Sequence, residues 1–252
     1  MRKAAVAVAA VLVLTGCAAP APEHDDTLHG TIAVFAAASL TDTFQTIAAA
    51  FSAQHPGVTV TINAGGSSGL AAQIVAGAPA DVFAAASVAT MKVVTDAALT
   101  ATEPTVFATN TLEIAVPVDN PGHVSGLADF ADPALAIALC APEVPCGAAA
   151  RSVLDTAGIV ASVDTLEPDV RAVLTKVELG EVDAGLVYRT DVLAAGNRVR
   201  GIEFAEAATV VTAYPIARLS ASTNPDAAAA FVAFVHSAAA RAILEEAGFG
   251  AP

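Results

Sequence analysis

Ser39, Ser67, Cys146 and Val170 share one setting: each stands where an apolar strand pattern hands over to a helical one. Ser39 lies in Ala-Ala-Ala-Ser-Leu-Thr, Ser67 in Gly-Gly-Ser-Ser-Gly-Leu, Cys146 directly before Gly147, and Val170 between Asp169 and Arg171. The first turn of a helix carries backbone N–H groups without partners inside the helix, and it is the positive end of the helix dipole. Four such turns converging on one point would hold an anion by fixed dipoles. Serine hydroxyls at two of them add donors that rotate to suit the guest. Taken singly, Ser39, Ser67 and Ser68 are also residues that helix N-caps favour, and Gly65, Gly66 and Gly69 are residues that turns favour. The anion-binding reading rests on their occurring together.

The charge balance sharpens that reading. With 11 Lys and Arg against 25 Asp and Glu, the chain carries a formal charge of −14. It lacks the basic footprint that nucleic acid requires. A strongly negative protein also repels anions at long range, so an anion site here must be local and built from neutral donors. The histidines His24, His29, His55, His123 and His236 show no metal-ligand spacing. No metal cation or organic cofactor is expected.

The elements that must position these residues alternate along the chain. Residues 31–36 read as a strand, followed by a helix from Leu40 with Phe44, Ile47, Ala48 and Phe51 on one face. A strand over 58–62, a helix over 70–76 and a strand over 81–85 complete a β-α-β-α-β rhythm, which predicts a parallel sheet flanked by helices. After a polar stretch comes a strand over 112–117. A second α/β set follows: strand 135–139, helices 147–157 and 168–179, and strand 184–188. A strand region over 210–219 and one long helix over 227–247 end the chain, with Phe231, Phe234, Val235 and Ala238 as its apolar stripe. Two α/β lobes with a ligand between them are one natural arrangement, because strand ends of open α/β sheets form the usual crevice.

The start of the chain reads as an address. Arg2 and Lys3 precede an unbroken apolar run from Ala4 to Leu14, too short to span a bilayer but suited to a signal peptide core. The run ends in Leu14-Thr15-Gly16-Cys17, which resembles the lipobox of bacterial lipoproteins. The resemblance implies a signal peptide over 1–16, a lipid on Cys17, a flexible tether over 17–29 and an extracytoplasmic protein on the outer face of the cell membrane. Cys140 and Cys146 remain, six positions apart. In an exported chain such a pair is expected to be a disulfide that stiffens one loop.

The segments Val-Phe-Ala-Ala-Ala-Ser-Leu-Thr (34–41), Ser-Ser-Gly-Leu-Ala-Ala-Gln-Ile (67–74), Ala-Gly-Ala-Pro-Ala-Asp-Val-Phe (76–83), Val-Pro-Cys-Gly (144–147), Pro-Asp-Val-Arg-Ala-Val-Leu (168–174), Gly-Leu-Val-Tyr-Arg-Thr-Asp (185–191) and Ala-Tyr-Pro-Ile-Ala (213–217) occur in this order. Together they resemble the periplasmic molybdate-binding proteins of ABC transporters, over about residues 30–250. The resemblance implies a type II periplasmic binding protein: two α/β lobes, each a mostly parallel sheet flanked by helices, joined by two crossing strands near 112–117 and 213–217. It implies lobe 1 over 30–111 and 215–252, and lobe 2 over 112–214. It also implies the ligand set: hydroxyl and N–H of Ser39 and of Ser67, the N–H groups of Cys146 and Val170, and the hydroxyl of Tyr188. Ser68 is the other candidate for the second serine. Molybdate or tungstate would be held through its oxygens by these residues, in a monomer that delivers it to an ABC transporter permease.

Two other readings compete. Gly65-Gly66-Ser67-Ser68-Gly69 matches the G-x-S-x-G elbow of α/β-hydrolases, but that chemistry needs an acid and then a histidine downstream. His123 comes too early, and His236 falls inside the final helical stretch. The other keeps the binding role and changes the anion. Sulfate suits an all-donor site equally, whereas protonated phosphate benefits from a carboxylate acceptor, which Asp42 or Asp169 would supply.

Overall fold

The computed structural model describes residues 28–252. The expected signal peptide and lipidated Cys17 lie outside the described residues. Ordered contacts begin at once: Leu28 packs against the first lobe's core, and the His29 carbonyl accepts from Asn224 Nδ2 at 2.8 Å.

The first lobe is built on a five-stranded sheet. Strands β1 (Gly30–Ala37), β2 (Val58–Gly65) and β3 (Val82–Ala84) are parallel, in the order β2-β1-β3. Helix α1 (Thr41–Gln54) follows β1 through a 3-10 turn at Ala38–Leu40; α2 (Ser67–Val75) follows β2, and α3 (Val88–Asp96) follows β3. Strand alternation sorts the side chains onto two faces. Ile32, Val34, Ala36, Val82 and Ala84 face the layer of α1, where Phe44, Ile47 and Phe51 are fully buried. Phe35 and Phe83 face the opposite layer, of α2 and α3, with Leu70, Ile74 and Met91.

β4 (Thr105–Asn110) ends the first passage through this lobe. Only Thr111 separates it from β5 (Leu112–Pro117), which belongs to the second sheet. That sheet adds β6 (Ile137–Cys140), β7 (Thr165–Glu167), β8 (Ala184–Tyr188) and β9 (Val199–Ile202), in the order β7-β6-β8-β5-β9. Its helices are α4 (Pro145–Ala157), α5 (Val170–Glu178) and α6 (Arg189–Ala195). The chain then returns: β10 (Thr212–Arg218) lies between β3 and β4 in the first sheet. Each lobe therefore has the same plan. Its βα units pair in parallel, as their rhythm predicts, while the strands beside the two passages pair antiparallel: β10 with β3 and β4, and β5 with β8 and β9.

Two local readings need correction. The polar stretch before residue 112 holds α3 and β4; β4 is short and flanks β10, and its pairing partner lies about a hundred residues downstream. The single final helix is two, α7 (Pro225–Val235) and α8 (Ala238–Glu246), bent by 59°. Ser237 takes an extended backbone and its hydroxyl accepts the Ala240 N–H at 3.2 Å. It caps a new helix where periodicity alone predicts continuation. Phe231, Phe234 and Val235 are buried as the stripe predicts, but Ala238 is exposed and Ala240 takes the buried place.

Candidate functional site

Helix starts deliver the site. β1 ends at Ala37, and the 3-10 turn carries Ser39 into the gap between the lobes, where the Ala38 methyl already packs in the second lobe's core. α2 begins at Ser67 with Gly66 as its N-cap residue. α4 has Pro145 in its first turn, where a missing N–H costs nothing, so Cys146 offers the first available N–H beyond it. α5 begins at Val170, capped by Asp169, whose Oδ1 accepts the N–H groups of Arg171 at 2.9 Å and Ala172 at 3.0 Å. The cap thus takes the second and third N–H groups of α5 and not the first, that of Val170. Tyr188 ends β8.

These five residues, far apart in sequence, line one small cavity of about 20 Å³ between the lobes, with Gly66, Ala86 and Val144 among its other walls. A single water needs about 10–15 Å³, so the enclosed space is on the scale of a compact ion. All five are almost fully buried. A disulfide joins Cys140, at the end of β6, to Cys146 across the loop that forms one wall. Gly147 is forced by that loop: a β-carbon there would lie 1.9 Å from the Ala141 carbonyl oxygen.

The two serines are separated by their contacts. Ser67 Oγ accepts the Ala86 N–H at 3.0 Å and borders the cavity. Ser68 Oγ instead donates to the Glu143 carbonyl at 2.9 Å, away from the cavity and across to the other lobe. With its lone pair engaged, the Ser67 hydroxyl proton is left to point at a guest. Ser39 is arranged alike. Its Oγ lies 2.9 Å from the Tyr214 hydroxyl, which accepts from Asn110 Nδ2 at 3.4 Å. Asn110 also donates to Thr190 Oγ1 at 2.8 Å. The Asn110 amide nitrogen can only donate, which leaves the Tyr214 proton available to Ser39; either hydroxyl can be the donor in that pair, and with Tyr214 donating the Ser39 proton is free for the cavity.

The Tyr188 hydroxyl is buried with no hydrogen-bond partner among the described residues. Burial holds the phenol well above its usual range; the nearby Thr212 hydroxyl opposes it, the Asp191 charge reinforces it and the Tyr214 hydroxyl opposes it. Burial likewise raises Tyr214 well above normal. Both phenols are therefore neutral donors. Behind the cavity, Asp191 accepts the Tyr188 N–H at 3.1 Å and lies 3.1 Å from Arg171 Nε in a charge contact lacking hydrogen-bond alignment. Burial lifts its carboxyl to about 7, against the pull of Arg171 and the Tyr188 N–H.

Sequence reasoning did not single out Tyr214, Asn110, Ala86 or Asp191 as parts of the site. The Ser39–Tyr214 contact spans 175 positions and Asn110–Tyr214 spans 104; no local pattern announces such pairs. Among the described residues, no histidine lines the cavity. His236 instead pairs with Thr105 at 2.7 Å and His55 packs against Phe51, so Ser67 lacks the base a nucleophile elbow requires.

Comparison with known proteins places the chain in a family. Residues 32–250 match the family described as bacterial extracellular solute-binding protein. The molybdate-binding protein ModA of Mycobacterium tuberculosis is 44% identical over 243 residues, covering 96% of this chain and 93% of that one. Among solved structures, the periplasmic molybdate-binding protein of Azotobacter vinelandii superposes with a TM-score of 0.74 at 20% identity, covering 88% of this chain and 99% of that one. The sulfate-binding protein SubI of Mycobacterium tuberculosis does so with a TM-score of 0.76 at 19% identity, over 88% and 86%. These relatives are solute carriers rather than enzymes. The chain belongs to the bacterial extracellular solute-binding proteins, with the two-lobed α/β fold of the periplasmic molybdate-binding proteins it resembles.

Proposed function

We propose that this protein captures molybdate, and tungstate with it, between its lobes and delivers the anion to an ABC importer, held at the outer face of the cell membrane by a lipid on Cys17. One observation carries the ligand class. A buried phenol without a hydrogen-bond partner among the described residues, Tyr188, borders a cavity also ringed by two serine hydroxyls, each held by one protein contact, and by helix first turns. Buried polar groups are otherwise paired. A site this rich in neutral donors matches a fully ionised oxyanion, which has no proton to give. The donors are the hydroxyl and N–H of Ser39 and Ser67, the N–H groups of Cys146 and Val170, and the Tyr188 hydroxyl.

About seven charge-assisted hydrogen bonds of roughly 1.5–3 kcal/mol give on the order of 10–20 kcal/mol gross. Desolvating the dianion and ordering the lobes offset much of it. The net expectation is sub-micromolar binding, beyond about −8 kcal/mol. No cofactor or metal cation takes part. Phosphate suits the site less: Asp42 is turned to Arg171 and does not border the small cavity, and Asp169, which does border it, has Oδ1 held by two N–H groups, leaving one oxygen as the acceptor a protonated anion prefers. Sulfate is the alternative guest, since it shares the charge and differs in size, and a sulfate carrier shares the fold. The identity with a molybdate-binding protein favours the larger anion.

Isothermal titration of the purified protein with molybdate, tungstate, sulfate and phosphate tests this. Tight one-to-one binding of the first two alone is expected. Preference for sulfate or phosphate would overturn the ligand, and heat from none of the four would overturn the binding role.

A further inference from the structure

One guanidinium touches a residue one short step from each of three site residues. Arg171 directly follows Val170. Its Nη2 donates to Asp42 Oδ2 at 2.5 Å, and its Nε lies 3.1 Å from Asp191 Oδ1. Asp42 is one helical turn beyond Ser39, and Asp191 is three residues beyond Tyr188, whose N–H it accepts. Asp191 and Arg171 belong to one lobe and Asp42 to the other. The Asp191 carboxylate is fully enclosed and Arg171 is about a quarter exposed, while Asp42 remains 61% exposed.

We propose that Arg171 is a positioning residue for anion capture: through Asp191 it holds Val170 and Tyr188 in register, and through Asp42 it latches that half of the site to Ser39 in the other lobe. The inference rests on the oxyanion reading above. The Arg171–Asp191 contact lies within one lobe and persists when the lobes part. The Arg171–Asp42 contact crosses the gap and forms only when they meet. Arg171 does not border the small cavity but the wider one beside it, about 310 Å³, together with Ser39, Asp42 and Thr190. It therefore acts on the guest's departure rather than on its direct coordination. An arginine suits the task because its rigid, planar fork presents Nε and Nη2 to the two carboxyl groups in fixed directions, whereas a lysine offers a point charge on a flexible stem.

The test measures release of radiolabelled molybdate into excess unlabelled molybdate, together with association rates and thermal midpoints. Asp42→Asn is expected to speed release about two- to fivefold, the scale of a partly exposed ion pair, with association and melting nearly unchanged. Asp42→Glu should recover most of the wild-type rate. Arg171→Gln should speed release by more than about tenfold, and adding Asp42→Asn to it should change nothing further, since the two act as one contact. Arg171→Lys should fall short of wild type. Asp42→Asn releasing molybdate at the wild-type rate overturns the latch, as does a double variant whose effects simply add. A fall in melting temperature with no change in release would make the pair merely structural, which also overturns it. Wild-type protein that retains no molybdate overturns the molybdate reading itself and this inference with it, an outcome the unmutated arm reveals by itself.

Discussion

The hydroxyl of Ser39 lies 2.9 Å from that of Tyr214, and Asn110 stands behind Tyr214 as a one-way donor. The hydrogen-bonded chain runs from β4 through β10 to the turn after β1, so a residue that borders no part of the cavity holds the Ser39 hydroxyl in place. Tyr214→Phe should weaken molybdate binding by about fivefold, the worth of one hydrogen bond of roughly 1 kcal/mol. The loss should appear in titration calorimetry, while Asn110 keeps its contact to Thr190 and the fold persists.

Tyr188→Phe removes the donor that has no protein partner. Binding should fall by at least about tenfold, as for a hydrogen bond to a charged group. Thermal stability without anion should hold or rise, because an unsatisfied buried hydroxyl is lost. Unchanged affinity would remove Tyr188 from the site.

Gly66 marks where the lobes press together. A β-carbon at this position would lie 2.6 Å from the Pro168 carbonyl oxygen and 3.3 Å from the Asp169 β-carbon. Its backbone has ordinary negative φ, so alanine is tolerated within its own lobe and obstructs only the meeting of the two. Gly66→Ala should leave the anion-free melting temperature almost unchanged and weaken binding by more than about tenfold, or roughly 1.4 kcal/mol. Equal affinity in calorimetry would show that the bound state does not need this approach.

Reduction of Cys140–Cys146 should loosen the wall that presents the Cys146 N–H. A ring this small contributes about 2 kcal/mol to stability through chain entropy, and its opening should also lower affinity. Mass spectrometry of unreduced protein verifies the link. Melting curves and calorimetry with and without reductant read its two effects, and identical affinity in both states would confine the bond to stability.

Asp191 makes stability depend on pH in a defined direction. Its folded value of about 7 lies above its ordinary value of 3.8, so the folded protein binds more protons than the unfolded chain between those limits. This group's stabilising contribution is fully present below about pH 4 and is lost as pH rises through about 7. Asp191→Asn should remove that loss. The difference in unfolding free energy, variant against wild type, should shift in the variant's favour from pH 4 to pH 8. A pH-independent difference would mean that Asp191 is ionised throughout, paired by Arg171.

Much of this protein was legible in the chain itself. Alternating β and α patterns announce the parallel halves of both sheets, because local periodicity is what a half-buried strand or helix requires. Ser39, Ser67, Cys146 and Val170 stand out because their positions at helix starts are local facts, strengthened by the order of the motifs around them, whereas Tyr188 is named only by the family resemblance. The choice between Ser67 and Ser68 is different. Both open the same helix, and only the packing shows one accepting from Ala86 at the cavity and the other reaching Glu143.

Tertiary structure alone decided what depends on distant partners. The break between α7 and α8 rests on a cap at Ser237 within an apolar pattern that continues across it. The antiparallel strands join segments about a hundred residues apart, and the Asn110–Tyr214–Ser39 chain spans 175 positions. Arg171 is one charge among few in the sequence; its place between Asp42 and Asp191 exists only once two lobes meet. Hydrogen-bond direction and charge contact act over a few ångströms of space, and the chain reveals such distances only after it has folded.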